Sequence, residues 1–264
     1  MPQPFAPSRE APLGLFWLSQ GMTDVPADDG WLSAREAAWI ARLRFAKRRS
    51  EFRLGRWTAK NALARYLRLP METADLRAIE IDRADDGAPA PLLGGRPADA
   101  YLTMTDRADQ AVCVVGPPGA RLGVDLELVE QRSDAFIADY LTAGEQRLVA
   151  AARDLDERSL LANLIWCGKE SALKVLRTGL RRDTRSVLVW FPSQPPAEGW
   201  AAMSVQAVEG TVFPGWWRRY GEFVLTLAAT ERFPPPQPLV DPPGLATAVP
   251  AHSWLPEGSS PARG

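Results

Sequence analysis

The chain has 264 residues, 46% of them apolar and 24% charged, and its 31 lysines and arginines nearly balance 32 aspartates and glutamates. That composition excludes collagen-like repeats, coiled coil and wholesale disorder, and a formal charge of −1 gives no global pull toward nucleic acid or anionic membrane. No stretch reaches the roughly 18 apolar residues that span a bilayer, and the start lacks a basic segment followed by an apolar one, so a cytoplasmic protein without nucleic-acid or membrane partners is expected.

From Arg35 to Arg68 there are eleven basic and two acidic residues, with Ala38, Trp39, Leu43, Phe52, Ala59, Leu63 and Leu67 at helical spacing. This predicts one or two basic amphipathic helices. From Leu69 to Glu130 the balance reverses to five basic and twelve acidic residues, with turn chemistry at Asp85–Pro89 and Gly94–Pro97. Ala111–Val115 reads as a short buried strand, and the alternation of RLGVDLELVE (121–130) as a second. Helices are predicted over SDAFIADYL, AGEQRLVAAARDL and, at greater length, DERSLLANLIWCGKESALKVLR. SVLVWF, AAMSVQAVE and EFVLTLAAT give the last strands, as in an antiparallel sheet. No short-period repeat is evident. An α+β protein of two comparable halves fits, divided as 1–115 and 116–232, with a proline-dense tail over 233–264 expected to be extended or disordered.

Absent residues narrow the chemistry. The single histidine, His252, lies in the proline-dense tail, so histidine nucleophile chemistry and histidine metal clusters are set aside. Neither a Walker spacing nor a G-x-G-x-x-G is present. Cys113 and Cys167 lie in apolar or helical patterns without metal spacing and are expected as buried free thiols. The ten tryptophans are read as core or interface rather than a stacking platform for nucleic acid.

In the strand 121–130, Leu122, Val124, Leu126 and Leu128 fall on one face, and Gly123, Asp125 and Glu127 on the other. Two carboxylates side by side suit oxygen ligation of Mg²⁺, which takes one or two carboxylates plus substrate phosphates. Taken alone, the pattern is equally an amphipathic strand with a wet acidic face. Trp166, Glu170 and Lys174 fall four apart on one helical stripe, with Lys169 beside it. That stripe adds a carboxylate and ammonium groups, and Glu170 with Lys174 is equally an ordinary helix-surface ion pair. Arg181, Arg182 and Arg185 form a basic cluster, either a solvated face or a meeting point for an acidic partner.

Together, GVDLE (123–127) and WCGKESALK (166–174) match the G-[IV]-D-x-E and W-x-x-K-E-[AS]-x-x-K motifs of the Sfp-type 4′-phosphopantetheinyl transferases, in that family's order. RRSEFRLGR (48–56), DDGAP (85–89) and TMTDRADQAVCVV (103–115) resemble three further family segments, so the resemblance covers Phe45 to Ala229. It implies the 4′-phosphopantetheinyl transferase fold: two similar α/β halves related by a pseudo-twofold, each with a small mainly antiparallel sheet and a long helix, and coenzyme A lying between them. It implies transfer of 4′-phosphopantetheine from coenzyme A to a serine of an apo acyl or peptidyl carrier protein, with release of 3′,5′-ADP by a monomeric enzyme. By resemblance, Asp125, Glu127 and Glu170 are the Mg²⁺ ligands, Glu170 is also the base toward the carrier serine, and Asp125, Glu170 and Lys174 form the catalytic set. Lys169 and Lys174 face the coenzyme A phosphates, Arg48 and Arg56 hold the 3′-phosphate end, and Thr105 and Asp106 occupy the positions of a serine-histidine pair that contacts the cofactor. Asp106 in place of histidine and Ala88 in place of a basic turn residue depart from the pattern, with Arg107 as a candidate replacement cation. They also suggest the alternative of a degenerate member that binds coenzyme A or a carrier without turnover.

Overall fold

The computed structural model describes residues 14–192 and 199–251. The chain enters as strand β1 (Phe16–Gly21) and continues through helices α1 (Ala34–Ile40) and α2 (Ala46–Leu67), so the basic stretch forms two helices. A short α3 (Thr73–Ala78) leads into β2 (Ile79–Arg83), β3 (Pro89–Leu93) and β4 (Arg96–Pro97), and then into the hairpin β5 (Tyr101–Arg107) and β6 (Gln110–Gly116). Beyond the next turn come β7 (Leu122–Leu128), α4 (Asp134–Tyr140), α5 (Ala143–Ala150) and the long α6 (Leu155–Val175). The rest is strand: β8 (Val187–Trp190), β9 (Ala201–Ala207), β10 (Val212–Tyr220), β11 (Phe223–Ala229) and β12 (Gln237–Pro238).

Three sheets result, ordered β12-β1-β6-β5, β7-β11-β10-β9-β8 and β2-β3-β4. All pairings are antiparallel except the short parallel one of β12 on β1. The α+β class read from the sequence is therefore the class observed. Alternation decides the layers. On β6, Cys113 and Val115 pack with α2 while Val112 and Val114 face the second sheet; on β11, Val224 and Ala228 pack under α6 while Phe223, Leu225 and Leu227 face the first. Leu122, Val124, Leu126 and Leu128 of β7 join that central apolar layer, so the two long helices cover the outer faces of two stacked sheets.

One set of residues occurs twice. Ser33, Glu36, Trp57, Lys60 and Arg68 recur, at a single constant offset, as Thr142, Glu145, Trp166, Lys169 and Arg177. Ser33 and Thr142 open helices through capping boxes closed by Glu36 and Glu145. Each glutamate then accepts from a strand amide, Ile81 N at 3.1 Å in one half and Val189 N at 3.0 Å in the other. Each also pairs with a fully buried lysine of the long helix, Lys60 at 2.5 Å and Lys169 at 2.8 Å. Both ammonium groups donate to two main-chain carbonyls besides, those of Trp31 and Leu76 and those of Thr184 and Val187. Arg68 and Arg177, at φ 55° and 57°, follow the two long helices in the left-handed conformation.

Two expectations change here. The stretch 212–220, unassigned from sequence because Pro214 and Gly215 weaken its strand propensity, is β10, paired on both sides by β9 and β11. The described part of the proline-dense tail, up to residue 251, does bury material: Gln237 and Leu239 donate their amides to the carbonyls of Leu15 and Trp17, and Leu245 is 1% exposed. His252 lies outside the described residues. Cys113 and Cys167 are buried free thiols, held well above the usual thiol range by burial.

Candidate functional site

The face of β7 carrying Gly123, Asp125 and Glu127 is not wet; α6 lies across it. Gly123 permits that approach, since a Cβ there would sit 1.9 Å from the Ser171 carbonyl oxygen of the helix. The spacings then match. Asp125 and Glu127 stand ~6.7 Å apart along a strand, and Lys174, Glu170 and Trp166 recur every ~6 Å along a helix. Lys174 Nζ donates to Asp125 Oδ1 at 2.8 Å and to the Val124 carbonyl at 2.7 Å, and at the other end Trp166 Nε1 donates to Glu127 Oε1 at 2.9 Å. Glu170 occupies the step between them.

A second ladder comes from β5, whose alternation aims Thr103, Thr105 and Arg107 at β7. The Val124 amide donates to Thr103 Oγ1 at 3.3 Å, Thr105 Oγ1 donates to Asp125 Oδ1 at 3.1 Å, and Arg107 Nε donates to Glu127 Oε2 at 3.1 Å. Arg132 adds a contact to Glu127 Oε2 at 2.8 Å and is itself fixed by Asn163 at 2.6 Å. Nothing in the sequence pattern singles out Arg132, because its role depends on the chain turning back after β7.

The electrostatics are those of crowded carboxylates. Asp125 is 6% exposed, and its Oδ2 and the Oε1 of Glu170 are buried without hydrogen-bond partners. Glu170 is pushed up to about 7 by burial and then by the Asp125 charge. Glu127 is raised by burial and Asp125 despite its arginines. Burial opposes the Lys174 ammonium, but Asp125 and Glu170 outweigh it and hold the group above its usual range. Among the described residues no three acidic side chains are arranged to enclose a metal ion. Two do present unpartnered oxygens, which suits a hard divalent cation that takes its remaining ligands from phosphate and water. Glu127, expected as a third ligand, instead commits both oxygens to Arg107, Arg132 and Trp166.

Two cavities adjoin this ladder. One of about 350 Å³ lies between the halves, walled by Arg56, Tyr101 and the turn 86–89 on one side and by Lys174, Arg177 and Arg181 on the other. A larger one of about 650 Å³ extends from it along α2; both are bounded by Arg56, Asp82, Arg83 and Met104. Arg48, Arg56 and Asp106 all line the larger cavity, as grouped from the sequence. Arg56 stacks on Phe52 at 4.6 Å, and Arg48 meets Glu51 at 3.3 Å. Asp106, on these walls but exposed at its surface, is pushed up to about 6 by the desolvation of crowded neighbours and by the Glu51 charge.

Four groups of sequence-predicted residues take the following positions. Lys169, expected at the coenzyme A phosphates, is buried in the opposite direction on Glu145, and burial lowers its affinity for the proton. Thr105, expected at the cofactor, gives its hydroxyl to Asp125 because strand alternation separates it from Asp106. Arg107 turns to Glu127 and Glu130, at 3.1 and 2.7 Å, and so does not replace a cation at Asp106. In the cluster after α6, Arg182 pairs with Glu209 at 2.6 Å and Arg185 with Asp183 at 3.0 Å, leaving Arg181 at the cavity.

One contact across the smaller cavity had no sequence signal. Arg177 ends α6 in a Schellman arrangement, its amide donating to the Lys174 carbonyl at 3.0 Å and that of Thr178 to the Leu173 carbonyl at 3.1 Å. Its side chain reaches Asp86 at 2.7 Å, on the turn where Asp86 also accepts from the Ala88 amide at 3.0 Å and Gly87 adopts φ 90°. The Ala88 amide and then Arg177 hold the Asp86 carboxyl below its usual range.

Residues 121–221 match the family model of the 4′-phosphopantetheinyl transferase superfamily. No curated protein matches the chain. Among solved structures, it is similar to a holo-(acyl-carrier-protein) synthase from Bacillus anthracis str. Ames in complex with CoA (3′,5′-ADP), at 19% identity and a TM-score of 0.33 over 39% of this chain and 93% of that one. It is also similar to the Thermotoga maritima holo-[acyl-carrier-protein] synthase, at 19% identity and a TM-score of 0.30 over 46% of this chain and 79% of that one. The segment bearing GVDLE and WCGKESALK thus lies within the stretch that matches this family model, in agreement with the resemblance read from its motifs.

Proposed function

We propose that this chain is an Sfp-type enzyme that moves 4′-phosphopantetheine from coenzyme A to the serine hydroxyl of an apo acyl or peptidyl carrier protein, releasing 3′,5′-ADP with the help of Mg²⁺. The observation that carries the reading is the ladder itself: two buried, unpartnered carboxylate oxygens of Asp125 and Glu170 beside Lys174, at the edge of a cation-walled cavity. The family match of 121–221 supports it. Asp125 and Glu170 would hold the Mg²⁺; when bound, the ion would neutralise charge developing on the pyrophosphate leaving group.

Phosphoryl transfer depends mainly on positioning and electrostatic stabilisation, and this chain's own groups supply both. Lys174 sits between Asp125 and the cavity and presents positive charge to a phosphate there. Arg56, Arg83, Arg177 and Arg181 line the same space and bind the polyanion. Glu170, whose carboxyl is pushed up to about 7, is placed to take the proton of the incoming serine. Thr105, Arg107 and Arg132 keep the carboxylates in position from the opposite side. No protein nucleophile is required.

Incubation with coenzyme A, Mg²⁺ and a panel of apo carrier domains, followed by weighing the carriers, tests the proposal. A carrier that gains the phosphopantetheine mass supports it. Coenzyme A binding with no carrier modified and no 3′,5′-ADP formed would favour the non-catalytic alternative suggested by Asp106 and Ala88.

A further inference from the structure

Among the described residues, Arg177 is the one cavity arginine whose partner lies across the cleft. Its helix belongs to the second half of the chain, and Asp86 belongs to a turn of the first. The pair is about a third exposed at each end, 31% for Arg177 and 33% for Asp86, so solvent screens it and its rupture is cheap. The guanidinium also approaches the Tyr101 ring, at 5.9 Å, which gives it a flat wall to slide on. Arg56, Arg83, Lys174 and Arg181 line the same 350 Å³, whereas the acids there are only Asp82 and Asp86, and Asp82 is engaged by Arg35.

We propose that Arg177 is a stored phosphate anchor: it rests on Asp86 in the ligand-free protein and transfers to a phosphate of coenzyme A when the cofactor enters this cavity. The idea rests on the coenzyme A reading above and extends it to a residue outside the motifs. A phosphate offers more charge and more acceptor oxygens than one carboxylate, and a guanidinium fork matches it bidentately. Asp86 therefore competes with the ligand. It keeps an otherwise unpaired cation neutralised until the anion arrives, and the two substitutions should move affinity in opposite directions.

Arg68 supplies the control, because it holds the same left-handed position after the other long helix at φ 55° and does not line the cavity. Arg177→Gly and Arg68→Gly relieve the same backbone conformation, so any shared change in melting temperature is structural. Asp86→Asn keeps an oxygen for the Ala88 amide while removing the charge. Calorimetric titration of the full chain with coenzyme A should show Arg177→Gly weakening the dissociation constant by about ten- to a hundredfold, Asp86→Asn tightening it severalfold, and Arg68→Gly leaving it unchanged. The double variant should match Arg177→Gly alone. If the parent binds coenzyme A and Arg177→Gly binds equally well, or if Asp86→Asn weakens binding as Arg177→Gly does, the contact is a structural latch and the inference falls alone. A parent that binds no coenzyme A overturns the inference and the functional reading together.

Discussion

Lys60 in α2 and Lys169 in α6 do the same work: each is fully buried, each is held by the glutamate of a capping box, and each ties a long helix to the strand that follows it. The stripes beside them differ. In α6, Glu170 and Lys174 follow Trp166 and face Asp125 and Glu127 of β7. In α2 the corresponding positions are Asn61 and Arg65, Asn61 returns its amide to the Trp57 carbonyl of its own helix, and β1, FWLSQG, has no carboxylate at all. The repeated glutamate–lysine pairs are therefore scaffold, and on the proposed reading the carboxylates and Lys174 present in one half alone carry the chemistry. A lysine inside a functional motif can belong to the first class, as Lys169 does.

The strongest test of that division is stability. Removing one partner of a buried ion pair leaves an uncompensated charge and costs about 3 to 5 kcal/mol. Lys60→Ala and Lys169→Ala should each cost about that much in denaturant unfolding. If Lys169→Ala melts like the parent while losing coenzyme A binding, the two halves are not equivalent and Lys169 is a ligand after all.

The next effect concerns what lets the helix down onto the acidic strand. Gly123→Ala puts a Cβ within 1.9 Å of the Ser171 carbonyl, a backbone atom that cannot turn aside. Overpacking of this kind costs about 1 to 3 kcal/mol, and the displaced stripe should lower transfer by on the order of a hundredfold. A Gly123→Ala protein with the parent's kcat/KM would show that the contact between Lys174 and Asp125 is not needed in the register seen here.

The smallest effect sharpens the contrast within the cavity wall. Asp106 is pushed up to about 6, so the folded protein holds this proton more tightly than the unfolded chain does. Its contribution to stability is then fully present below the unfolded value, near 4, and is lost as pH rises through about 6. Asp106→Asn should melt like the parent near pH 4 and only slightly higher near pH 8, because solvent reaches the exposed carboxyl and screens the effect. Equal melting temperatures at both pH values would mean that the carboxyl is ordinarily solvated.

Much of this site was legible because two periodicities fix relative placement before any tertiary contact is known. Alternation put Asp125 and Glu127 on one face of β7, and fourfold spacing put Trp166, Glu170 and Lys174 on one stripe of α6; packing then had only to bring face to stripe. What the sequence did not disclose depended on direction or distance. Lys169 lies one residue from Glu170, and a step of one around a helix carries a side chain to a different neighbour. The alternation that separates Thr105 from Asp106 could be counted, but not which of the two would meet β7. The scaffold repeat rests on a few positions with dissimilar residues between them, and what marks it is that Glu36 and Glu145 meet the same kinds of partner. The tail looked empty because its apolar residues have no period, yet Leu245 alone is enough to bury against β1.

On the proposed reading the Asp125–Glu170 ladder drives metal-assisted transfer from coenzyme A. The most direct measurement is 3′,5′-ADP release from coenzyme A in the presence of an apo carrier, over a Mg²⁺ titration, for the parent, Asp125→Asn and Glu170→Gln, with folding of each checked by thermal melting. Release by the parent should rise with Mg²⁺ and vanish on chelation, and both variants should lose on the order of a hundredfold or more with cooperative melting retained. Release that is indifferent to Mg²⁺, or variants within a fewfold of the parent, would contradict it.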